Sequence, residues 1–103
     1  MNPPSPPDWR LLLGEQLAPI LAALSAGDDV APARLHRAEG FAQAVVALGL
    51  ADAEAVAGFI RACYRETLGE ARCGQFEEAD FRRGELPAIP FRLPRAPVYP
   101  SSA

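Results

Sequence analysis

The sequence predicts an all-α fold, a small three- to four-helix bundle followed by an extended proline-rich C-terminal arm. Three observations carry that expectation. Large apolar residues recur at three- and four-residue spacing in three successive windows, which places them on one stripe of a helix. Twenty of the 103 residues are Ala, the strongest helix former, and only 8% are aromatic. Nine of the 11 prolines lie in residues 1–7 or after residue 85, which leaves the middle of the chain free to be helical.

The first helix is expected to begin at Asp8, where a side-chain oxygen meets free amides just after the prolines of residues 1–7. Its stripe is Trp9, Leu12, Leu13, Leu17, Ile20, Leu21 and Leu24, and Gly27-Asp28-Asp29 ends it. Pro19 removes a donor and crowds the carbonyl four residues back, so the expectation is a kink near residues 15–18 or two short helices.

A second helix is expected from Pro32, whose missing amide costs nothing in the first turn, to a cap at Gly49. Leu35, Ala38, Phe41, Ala42, Val45, Val46 and Leu48 form its apolar face. Asp52 suits the N-cap of a third helix with Glu54 in its first turn, and Val56, Phe59, Ile60, Cys63, Tyr64, Thr67 and Leu68 as its stripe. Gly69 is its expected stop, with Arg72 as the alternative end. Leu17, Ile20, Val45, Phe59, Ile60 and Leu68 occupy stripe centres and are the expected core.

Residues 75–83 place acids before arginines and Gly84 after them, the polarity a short fourth helix prefers. From residue 85 on, five prolines exclude helix and any central strand. The domain reading is an extended segment 1–7, a helical domain 8–84 and an arm 85–103.

Composition narrows the function classes. All ten basic residues are Arg, and with the Ala, Pro and Gly content this points to a GC-rich, bacterial genome. A net charge of -3 disfavours generic phosphate binding. No signal-peptide pattern and no apolar run of about 20 residues is seen, so the expected location is cytoplasmic, with Cys63 and Cys73 as free thiols.

Catalytic and metal chemistry lack a motif. One His and two Cys, with nine residues between the cysteines, match no zinc pattern, and no metal or cofactor is expected. Cys63 and His36 are the only pair that a small enzyme or cofactor binder would use, but His36 stands between Arg34 and Arg37 without an orienting carboxylate. Glu77, Glu78 and Asp80 read as the first turns of a solvated helix. Arg61, Arg65 and Arg72 fall on one face if the third helix runs past Gly69, and the second and third helices loosely suit a helix-turn-helix regulator. Glu66 and Glu70 blunt that stripe, and nucleic acid is the second choice.

The arm carries the first choice. Prolines recur every three or four residues, Ile89, Phe91 and Leu93 alternate, and Val98 and Tyr99 follow, an apolar content unusual for a disordered tail. Ile89, Phe91, Leu93, Pro94, Pro97 and Tyr99 are the candidate partner-binding residues, against this chain's own helices or against another chain. The expected role is a non-catalytic protein–protein interaction module: an adaptor, accessory subunit or small regulator. The Ala-rich helix surface, with Gly58 in the third helix, makes a homodimer the expected assembly.

Overall fold

Asp8 and Asp52 cap the first and third helices as their positions predict. The computed structural model describes residues 8–93. Asp8 accepts a hydrogen bond from the Arg10 amide at 3.0 Å, and α1 runs over Trp9–Ala26. Asp52 accepts from the Ala55 amide at 2.7 Å, and α3 runs over Ala53–Leu68. Between them, α2 spans Pro32–Ala47 with Pro32 in its first turn and no side-chain cap. Among the described residues the only further elements are a four-residue turn of helix, α4, over Glu70–Cys73, and a 3-10 turn over Glu78–Phe81.

The helix ends follow from backbone chemistry. Gly49 adopts φ 72°, and the amides of Gly49 and Leu50 return to the carbonyls of Val46 and Val45, closing the last turn of α2. Gly69, at φ 86° and ψ 161°, takes the chain out of helix altogether, so α3 stops at Leu68 and does not continue to Arg72. Leu48 lies beyond the end of α2 and is 73% exposed, so it is not part of that helix's buried face.

The three long helices form an up-down-up bundle. A short turn reverses the chain between α2 and α3. α1 and α3 run parallel, because Trp9 at the start of α1 meets Phe59 within α3, while Arg72, just past the end of α3, reaches the Leu24 carbonyl near the end of α1. α1 lies along both neighbours, whereas α2 and α3 approach each other much less. The gap between them is filled from the C-terminal side of the chain. Phe76 and Phe81 pack edge-on against the fully buried Tyr64, at 5.4 and 5.5 Å, and Pro87 and Ile89 are equally buried.

Of the six expected core residues, Leu17, Ile20, Val45, Ile60 and Leu68 are buried. Phe59 departs from expectation. It is half-buried at the seam of α1 and α3, its ring 5.5 Å from that of Trp9 and close above Gly14. A stripe centre deduced from spacing faces the mean direction of the core, and α1 turns out to cover only one edge of this ring.

Of the two alternatives at Pro19, α1 is one helix and not two short ones. Leu13 and Leu17 before the proline, and Ile20, Leu21 and Leu24 after it, are all buried in one core, and that continuous packing outweighs one lost backbone bond. The expected helix over 75–83 is reduced to the 3-10 turn. In an α-helix Phe76 and Phe81 would point about 140° apart. Both must reach Tyr64, and the extended Glu77 between them makes this possible.

Candidate interaction surface

The segment after Gly84 is tied to the bundle by three hydrogen bonds from different elements. The Ala88 amide donates to the Phe81 carbonyl at 3.1 Å. Arg83, anchored to Glu39 of α2 at 3.2 Å, also donates to the Ile89 carbonyl at 3.3 Å. The Tyr64 hydroxyl donates to the Pro90 carbonyl in a buried contact. Proline has no amide but its carbonyl is a full acceptor, and two of the three bonds hold the strap through carbonyl oxygens, those of Ile89 and Pro90.

Burial sorts the candidate residues. Pro87, Ala88, Ile89 and Pro90 are buried, so Ile89 fills the chain's own core. Leu86 and Phe91, on either side of that run, remain 43% and 37% exposed. Leu93 packs at the edge of the core. Pro94, Pro97 and Tyr99 lie outside the described residues.

The outer side of this strap and the flank of α2 enclose a groove of about 540 Å³. Its apolar lining includes Val30, Leu35, Leu86 and Phe91, and its polar lining His36, Glu39, Gln43 and Arg83. A second cleft of about 520 Å³ adjoins it, sharing Val30, Pro32 and Phe91, and is also lined by Arg92 and Leu93 and by Asp28 and Asp29 of the α1–α2 loop. Together they form a trough with one apolar wall, a few polar groups, and an end where two carboxylates and one guanidinium meet.

At the opposite pole, Leu11 near the start of α1 and Leu48 and Leu50 in the α2–α3 turn are 70%, 73% and 60% exposed.

The residues considered for other chemistry have different partners. Cys63 is half-buried against the core, and burial, with Glu66 adding to it, pushes its thiol upward. His36 lines the groove beside the strap, whose lining does not include Cys63. Arg61 pairs with Glu78, Arg65 with Glu70 at 3.6 Å, and Arg72 donates to the carbonyls of Leu24 and Ser25 at the end of α1. Each arginine of the expected stripe thus has an internal partner, with the Arg65–Glu70 pair largely in water. The Asp80 carboxylate accepts from the Glu77 amide at 2.8 Å, the Asp80 amide donates to the Glu77 carbonyl at 2.9 Å, and Glu78 meets Arg61 and Arg82. No group of three or more metal-ligating side chains converges among the described residues.

Sequence reasoning missed Phe76, Phe81, Leu86 and Arg83. Their signal was the pair of aromatics five residues apart on a segment that α-helical geometry cannot satisfy. The class that these features define is an all-α three-helix bundle closed by a C-terminal strap, and no helix among the described residues is long and apolar enough to cross a membrane. No protein-family model matches the chain, and no curated protein or solved structure matches it.

Proposed function

We propose that the protein is a non-catalytic interaction module that binds another protein, or a second copy of itself, through the trough between α2 and the strap. The observation that carries this reading is the pairing of Leu86 and Phe91. Both are large and apolar, both stand in water, and both line one concave surface together with Val30 and Leu35. Scattered exposed apolar residues are ordinary, but a concave apolar wall with a few fixed polar groups is what a partner's side chain fits. His36, Gln43 and the Arg83–Glu39 pair supply directional hydrogen bonds at its rim.

The nucleic-acid reading is less favoured because Arg61, Arg65 and Arg72 are engaged within the fold, leaving little concentrated positive charge on that face. The small-enzyme reading is less favoured because the raised Cys63 thiol is a poorer nucleophile at neutral pH.

The test is affinity capture of the tagged full chain from its native host, beside Leu86→Asp and Phe91→Asp variants that keep the wild-type melting temperature. A stoichiometric protein partner, or a sedimenting dimer, that both variants lose supports the reading. An unchanged set of partners in both variants, or salt-sensitive retention of nucleic acid alone, overturns it.

A further inference from the structure

The end of the trough that carries Asp28 and Asp29 lies where the described chain stops. Leu93 and Arg92 line the same cleft as these two residues, and neither carboxylate has an ion partner among the described residues. Consecutive Cα atoms are separated by about 3.8 Å, so the Cα of Arg95 lies within about 7.6 Å of that of Leu93 whatever the intervening backbone does. Arg95 is the only charged side chain in residues 94–103. Tethering therefore keeps a second guanidinium, after that of Arg92, within the chain's reach of the cleft that Asp28 and Asp29 line. Val98 and Tyr99 follow in sequence as large apolar side chains, and Val30, Pro32 and Phe91 form the apolar wall that the two hollows share. Pro94, Pro97 and Pro100 restrict the free segment and so lower the entropy lost when it settles.

From this geometry we propose that the cleft is the docking place of the chain's own residues 94–103, bound in cis, with Arg95 on Asp28 and Asp29 and with Val98 and Tyr99 over the shared wall. The segment is then a built-in occupant of the trough. Any partner entering the groove must displace it, but the docking itself does not depend on such a partner.

The test uses the full chain with p-benzoylphenylalanine in place of Tyr99, photolysed and mapped by mass spectrometry. The expected product is a monomer cross-linked from residue 99 to peptides within residues 24–35 or 86–93. Tethering alone would give some such product, so the charge dependence decides. Its yield should fall severalfold in Arg95→Gln and in the double variant Asp28→Asn/Asp29→Asn. It should also fall in the parent when salt is raised from about 50 to about 500 mM, across which the screening length shortens from well over 10 Å to a few ångströms. Arg95→Gln lies outside the described body and the asparagines are isosteric, so a loss of yield with an unchanged melt reports docking. Cross-links mainly between two copies overturn the cis assignment. A yield equal to that of the urea-denatured chain, or one indifferent to both charge changes, overturns the docking.

Discussion

The Tyr64 hydroxyl donates to the carbonyl of Pro90, tying the C-terminal half of α3 to a proline-rich strap 26 residues further along the chain. The donor is fully buried, and burial pushes its pKa well above the ordinary value of 10.0. Tyr64→Phe keeps the ring against Phe76 and Phe81 but leaves the Pro90 carbonyl without this donor. Such an orphaned buried acceptor costs about 1–3 kcal/mol, measurable by urea unfolding at pH 7. Because the folded pKa is raised, the stability that the neutral phenol contributes is complete below pH 10. It is lost progressively as pH rises beyond that value toward the folded pKa. Wild type should therefore lose its advantage over Tyr64→Phe above about pH 10. An advantage that grew with alkalinity would contradict the buried contact.

Ile89 and Phe91 lie two residues apart and face opposite surroundings. Ile89→Ala should cost about 2–5 kcal/mol, as for other buried aliphatic truncations. Phe91→Ala should cost no more than about 1.5 kcal/mol, since over a third of that residue is already in water. Thermal melts of the two variants order them, and equal costs would mean that the strap does not sit as described.

Phe59 tests the seam of α1 and α3. Half-buried against Trp9, it should lose about 1.5–3 kcal/mol on truncation to Ala, short of the cost of a fully enclosed ring. A double-mutant cycle with Trp9→Ala should return a coupling of about 0.5–1.5 kcal/mol, the range for edge-on aromatic pairs.

The Cys63 thiol should alkylate more slowly in the native protein at pH 7.5 than in urea, because burial and then Glu66 disfavour its thiolate. Glu66→Gln should speed native labelling modestly while Cys73, 5% exposed, stays protected. Rapid native labelling of Cys63 would revive the reactive-site reading.

Arg72 donates to the last carbonyls of α1, at 2.8 Å to Leu24 and 3.5 Å to Ser25. Arg72→Met retains the apolar stem and should cost about 1 kcal/mol through the loss of that cap. Weakened phosphate binding with no change in the melt would assign this arginine to an external ligand instead.

The sequence alone determined the three long helices. Asp8, Pro32, Gly49, Asp52 and Gly69 act within a few residues of themselves, by capping an amide, presetting φ or adopting positive φ, and each boundary was legible for that reason. Apolar spacing likewise identified Leu17, Ile20, Val45, Ile60 and Leu68 as core, since periodicity records which face is buried. It does not record what covers that face. Tertiary structure decided that α2 and α3 part enough to admit Phe76, Phe81 and Ile89 around Tyr64, and that continuous packing carries α1 through Pro19. It also decided that Arg61, Arg72 and Arg83 serve partners 17, 48 and 44 residues away. The trough beside the strap belongs to this second group. Its walls come from α2, the α1–α2 loop and residues 86–93, and side chains so far apart in sequence become neighbours only when the core that draws them together has closed.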